Sequence, residues 1–257
     1  MLYAGLVSVT FRKLPPGEIV ALAAQAGLHG IEWGGDIHVP HGDIRQAREV
    51  RRMTVEAGLQ VASYGSYYQV GCEDREGIPF ARVLETAAEL QAPTIRVWAG
   101  NRGSREADAS WRELVAGETC RIAEMAAEIG ITLSFEYHGQ TLTDTSASAC
   151  RLMRAIGRDD VYSYWQPPAG LDPEQQKEGL RAILPWLSNV HVFYWQDKQK
   201  LPLADGAADW RQYVEIIRTA ETIRKAESER YCLLEFVRDG DPQQFLADAA
   251  TLRQILL

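Results

Sequence analysis

The chain reads as an α/β protein built on a closed (β/α)8 barrel, and three observations lead there. Eight short β-branched or aromatic-rich runs recur along its length, segments of helical periodicity lie between them, and the runs are too apolar for a sheet wetted on one face. Its 257 residues can bury a sizeable core and match eight strand–helix units, a single barrel domain over residues 1–257.

The predicted strands are residues 6–11, 30–33, 60–64, 94–98, 131–136, 161–165, 189–194 and 231–236. Ile19, Leu22, Ala23 and Ala26 mark the face of a first helix, and Phe80, Val83, Leu84, Ala87 and Leu90 that of a later one. Ile122, Met125, Ala126 and Ile129 follow the same spacing, as do Leu180, Ile183, Leu184 and Leu187, then Tyr213, Val214, Ile217 and Ala220, then Phe245, Leu246, Ala249 and Leu252. Glycines at 27, 58, 130 and 157 stop helices before the next strand. A doubly wound open sheet is the alternative, but no Gly-x-Gly-x-x-Gly turn follows the first strand. The polar segments 166–173 and 196–209 read as loops at the carboxyl ends of strands, where barrel enzymes gather their chemistry.

Charge and composition narrow the function. Lys and Arg number 27 against 35 Asp and Glu, a net charge of −8, and no dense basic run offers a nucleic-acid face. No stretch of about 18 apolar residues predicts a membrane span, so a cytoplasmic protein with no membrane partner is expected. Cys72, Cys120, Cys150 and Cys232 lie far apart and read as buried thiols. A homodimer is the default assembly.

The informative residues are polar groups set in apolar runs. Glu136 ends Ile131-Thr132-Leu133-Ser134-Phe135, Glu235 sits in Leu233-Leu234-Glu235-Phe236, His191 in Val190-His191-Val192, and Glu32 in Gly30-Ile31-Glu32-Trp33. A buried carboxylate needs a cation or a charged partner. Two glutamates and one imidazole from different strands, with Gln166 as a further oxygen, could converge on one divalent ion, and an oxygen-rich set of this kind suits Mn, Mg, Co or Zn. Each has a plainer alternative: Glu136 paired with Arg96 across the barrel, His191 satisfied in the core, Gln166 tying down its loop. Glu32, Trp33, His38, Tyr64, Trp98, His138, Trp165, Lys198 and Arg238 are the expected contacts for a small polyhydroxy substrate, with at least half of the aromatic residues near strand ends assigned to packing. Arg102 is a further cation that could steer an acidic substrate, His41 belongs to the loop after the second strand, and His29 reads as structural.

The pattern resembles the sugar-phosphate isomerase/epimerase superfamily, the xylose isomerase-like barrels that include ketose 3-epimerases and hydroxypyruvate isomerase. The marks are Gly27-x-x-Gly30-Ile31-Glu32, Phe135-Glu136, Asn189-Val190-His191-Val192 and Leu234-Glu235-Phe236. The resemblance implies a metal held by Glu136, Gln166, His191 and Glu235, with Glu136 and Glu235 exchanging protons on opposite sides of a carbonyl substrate, the work of an isomerase or epimerase. At the sixth strand the family's Asp-x-x-His is replaced by Gln166-x-x-Ala169, which removes one ligand charge and one imidazole. That departure keeps open a non-catalytic sugar or sugar-acid binding protein, and more remotely a metal-dependent lyase or nuclease.

Overall fold

A parallel sheet closes on itself in the order β1-β10-β7-β6-β5-β4-β3-β2 in a computed structural model that describes residues 1–72, 77–196, 199–224 and 229–257. The barrel strands are β1 (Leu2–Val7), β2 (Gly30–Gly34), β3 (Gln60–Gln69), β4 (Thr94–Trp98), β5 (Thr132–Phe135), β6 (Val161–Trp165), β7 (Leu187–Val192) and β10 (Arg230–Leu234). Around them run α1 (Pro16–Gln25), α2 (Ile44–Glu56), α3 (Phe80–Leu90), α4 (Ala109–Ala127), α5 (Ser146–Ile156), α6 (Pro173–Ile183), α7 (Ala207–Arg224) and α8 (Pro242–Ile255). The predicted (β/α)8 architecture is the one observed.

Helix starts follow local chemistry. Asp43, Asp108, Thr145, Asp172 and Asp241 each accept a backbone N–H of the first turn, and Pro16, Pro173 and Pro242 occupy positions where no amide partner is lost. Helices α2 and α5 carry no apolar stripe picked out above. In α2 only Ala47, Val50 and Thr54 are buried beneath a surface of Arg and Glu, so its periodicity is carried by charge.

Several boundaries differ from expectation, among them β7 at Leu187–Val192 where 189–194 is expected and β10 at Arg230–Leu234 where 231–236 is expected. The first strand is Leu2–Val7, and Ser8–Phe11, expected as strand, form a 3-10 turn. Gly5 interrupts the apolar run of this strand but faces the barrel interior, where a Cβ would lie 2.7 Å from Leu233 Cδ2 and 2.8 Å from the Gly30 carbonyl oxygen. The third strand runs on to Gln69. Across the start of the expected 196–209 loop, Tyr194–Gln196 (β8) and Gln199–Leu201 (β9) pair antiparallel.

The main core lies between sheet and helices, with Trp33, Trp165, Trp210, Phe80 and Phe245 among its largest members. A second, smaller cluster of Val7, Ala62, Tyr164 and Leu233 is packed separately from it. All four cysteines are free thiols, Cys120 being partly exposed and the others buried. No helix among the described residues is long and apolar enough to cross a membrane. Because the Gly5 contacts are with backbone and a packed leucine, Gly5→Ala is expected to lower stability by about 1–3 kcal/mol, read as a lower urea midpoint at unchanged slope.

Candidate metal centre

Period-two alternation places every second strand residue inside the barrel. Glu32, Arg96, Tyr164, Asn189 and His191 share that interior, where hydrogen bonds or close approaches link them into one network. Glu136 and Glu235 stand one residue beyond the ends of β5 and β10, anchored by backbone bonds from Glu136 N to the Val97 carbonyl and from Glu235 N to the Val192 carbonyl. Both carboxylates are therefore held at the carboxyl end of the barrel by the strand next to their own.

His191 is the centre of the group. Its Nδ1 lies 3.2 Å from Glu235 Oε2, 3.2 Å from Gln166 Oε1 and 4.0 Å from Glu136 Oε1. One ligand atom from each of Glu136, His191 and Glu235 falls within 4.8 Å of the others, and all three residues are buried. The second oxygen of Glu136 is already engaged, receiving Arg96 Nη1 and Trp98 Nε1. Glu235 Oε2 makes no aligned hydrogen bond despite its burial.

These observations fit a divalent cation. Glu32, Glu136 and Glu235 bring three negative charges into the interior and Arg96 one positive charge, which leaves two to be balanced once His191 is neutral, as a metal ligand must be. An orphaned carboxylate oxygen, a second carboxylate held through its far oxygen, and an imidazole nitrogen between them make a three-ligand site for such an ion.

The electrostatics follow. Burial raises the Glu32 carboxyl, but the Arg96 guanidinium, His191 and Ser63 outweigh it and hold the group well below the usual carboxylate range. Burial lowers His191, yet Glu235 and Glu32 push it up to about 9. Burial keeps His138 below its ordinary value in spite of the Gly139 carbonyl oxygen 2.6 Å from its Nδ1.

The remaining expected contacts divide sharply. Trp98 and His138 are at the site, their rings stacked at 4.3 Å beside Glu136. Glu32 is fully buried, with its oxygens taken by Arg96, Ser63 and Tyr164, so it belongs beneath the site and does not reach substrate. Trp33 and Trp165 point the other way, into the helix layer: Trp33 Nε1 donates to Thr54 of α2 at 3.2 Å, and Trp165 packs on Trp210 and Tyr213 of α7. Expected as substrate contacts, both are core. Tyr64 donates to the Val39 carbonyl and meets His41, and His38 meets Ser8 Oγ at 2.9 Å, so these two fasten the loop after β2. Arg238 donates to Gln244 and Arg102 stacks over Trp111. His29 packs on Tyr3, near the start of β1. Lys198 lies outside the described residues.

Further residues stand near the site. Tyr67, at the end of β3, packs its ring 4.7 Å from the Arg96 guanidinium and edge-on to Trp98. Its backbone is left-handed at φ 58°, as is that of Phe236 at 56°, and such strain in bulky residues clusters at binding sites. Phe236 packs with Phe193 and Trp195 of the β7–β8 segment. The sequence pairs Arg96 with Glu136 alone, although a lone arginine between Ile95 and Val97 signals a buried charge at the barrel's centre.

A parallel eight-stranded barrel with a carboxylate–imidazole centre at its carboxyl end defines the class. The chain belongs to the xylose isomerase-like TIM barrel family, whose model matches residues 20–254. It is 24% identical over 205 residues to a 3-dehydroshikimate dehydratase of Bacillus anthracis, an alignment covering 72% of this chain and 69% of that protein. The structure of the probable 3-DHS dehydratase AsbF of Bacillus anthracis superposes with a TM-score of 0.77 at 19% identity, over 97% of this chain and 98% of the other. That of 3-keto-D-glucoside 4-epimerase, YcjR, from E. coli gives 0.71 at 19% identity, over 100% and 99%. At such identities the superpositions establish a shared fold.

A cation on His191 Nδ1 must displace the proton that the neighbouring carboxylates favour there. Metal affinity is therefore expected to rise between pH 6.5 and about 9, and uptake at pH 7 to release close to one proton. Calorimetric titration in buffers of different ionisation enthalpy measures this, and no proton release would remove Nδ1 from the ligand set. In the metal-free chain the sign is opposite: the raised pKa contributes stability present below about pH 6.5 and lost as pH rises through about 9.

Proposed function

We propose that the protein is a divalent-metal-dependent enzyme that removes the proton beside a carbonyl of a small polyhydroxylated substrate and returns it, as an isomerase or epimerase does. The observation that carries the reading is the convergence of Glu136, His191 and Glu235, with one buried carboxylate oxygen of Glu235 making no aligned hydrogen bond. Gln166, 3.2 Å from His191 Nδ1, is the fourth ligand in this reading, and its neutral amide leaves the site with one charge fewer than an aspartate would. When bound, the cation supplies the Lewis acidity that stabilises negative charge developing on the substrate oxygen.

The protein's own groups provide the rest. Glu235 carries the proton on Oε1, since Oε2, 3.2 Å from His191 Nδ1 and without an aligned donor, would hold the cation. Glu136 faces it with the oxygen that Arg96 and Trp98 leave open, while those two donors keep the carboxylate from turning. Tyr67, Trp98 and Phe236 supply apolar walls that exclude water around the reacting carbons.

A second reading, loss of water after the same proton abstraction, is favoured by two observations. Glu136 is tied to two donors and so is a weak proton carrier, whereas His138 is held neutral with Nδ1 facing the Gly139 carbonyl, which leaves Nε2 as a single base. A relative named as a 3-dehydroshikimate dehydratase is in keeping with that chemistry.

Incubation of metal-loaded protein with a panel of hydroxy-ketones and cyclic hydroxy-ketoacids in deuterated water separates these readings. Deuterium at the carbon beside the carbonyl in recovered substrate or its isomer is expected for the first reading. Growth of a conjugated chromophore at the expense of substrate marks the second. Neither signal across the panel, with metal bound, would overturn both. Glu235→Gln is expected to slow the exchange at least about 100-fold.

A further inference from the structure

We infer that Glu32 is a positioning residue for the metal centre: it receives the Nε2–H of His191 and thereby turns the lone pair of Nδ1 toward Glu136 and Glu235. The inference rests on the reading of that cluster as a metal site. It concerns a residue that the sequence had suggested would touch substrate and that the fold puts out of reach.

The geometry assigns each oxygen of Glu32 a task. Oε2 accepts Ser63 Oγ at 2.6 Å and Tyr164 OH at 2.9 Å, and Tyr164 is itself held by Asn189 Nδ2 at 2.9 Å. Oε1 accepts Arg96 Nε at 2.7 Å and faces His191 Nε2 at 3.5 Å. That nitrogen is buried and makes no aligned hydrogen bond, and this carboxylate oxygen faces it as a charged acceptor. On the opposite edge of the ring, Nδ1 meets Gln166, Glu235 and Glu136. An imidazole with a carboxylate at one nitrogen has its tautomer and ring plane fixed at the other, the way ligating histidines are generally oriented.

Arg96 makes the arrangement possible. It neutralises Glu32 through Nε and reaches Glu136 through Nη1, so one guanidinium sets the carboxylate beneath the imidazole and the carboxylate beside it. Room for the fork comes from Gly65, where a Cβ would lie 2.7 Å from Arg96 Nη2 and 3.0 Å from Glu32 Oε1.

The test uses the full-length chain loaded with zinc and labelled with 15N at histidine. In the wild type, the His191 ring is expected to show Nδ1 metal-bound and Nε2–H as a slowly exchanging, downfield resonance. In Glu32→Gln that resonance should move upfield or broaden by exchange, with the zinc dissociation constant raised about 10- to 100-fold at unchanged far-ultraviolet dichroism. Tyr164→Phe removes a bond to the other oxygen of Glu32 at the same depth. It is expected to leave the resonance in place and to change zinc affinity less than threefold. Ligation through Nε2 in the wild type overturns the inference without any variant, whether or not Glu32→Gln folds. Unchanged affinity and resonance in Glu32→Gln, or an equal loss in Tyr164→Phe, also overturns it while leaving the metal centre standing. A wild type that binds no divalent metal overturns the metal centre together with this role for Glu32.

Discussion

A guanidinium buried between two carboxylates is the constraint around which the barrel interior is arranged. Removing Arg96 and Glu32 from water costs several kcal/mol per charge, and their attraction offsets that cost only where every remaining donor and acceptor is satisfied. Ser63, Tyr164 and Asn189 complete the set, and the missing side chain at Gly65 gives it space. The charges that define the mouth of the barrel are thus placed by charges further down.

The net acidity of the chain takes on a local meaning in this light. Most of its carboxylates lie on solvated helix faces, where pairs such as Arg48 with Glu89 and Arg52 with Glu56 contribute little. The carboxylates around His191 are different, because they are buried away from solvent. Their excess over Arg96 creates an interior that favours a doubly charged cation, and one orphaned oxygen of Glu235 marks where that preference is unsatisfied.

Much of this was legible in sequence. Eight apolar runs separated by helical periodicity define the barrel, and Glu136, His191 and Glu235 stand out because charge in an apolar run requires a partner. What escaped was parity. With Glu32 inside, Trp33 has to face the helices; with Ser63 inside, Tyr64 has to as well; and the same alternation sends Trp165 outward from the strand that brings Tyr164 in. Aromatic residues at strand ends attract attention as pocket walls, but position in the pleat decides their side. Tyr67, beside Arg96, and Phe236, next to Glu235, sit in left-handed backbone, a conformation that no local pattern announces for a tyrosine or phenylalanine. The β8–β9 pair was hidden for a related reason, since three-residue strands carry too few side chains to show a period.

The small cluster of Val7, Ala62, Tyr164 and Leu233 lies inside the closed sheet and fills its lumen below the imidazole. The barrel is consequently a well with a floor. A molecule seated against the carboxylates has one way in and the same way out, so arrival and departure cannot overlap. On the proposed function, what forms in the well must vacate it before the next molecule enters, and a spent ligand that lingers competes directly with a fresh one for the same opening.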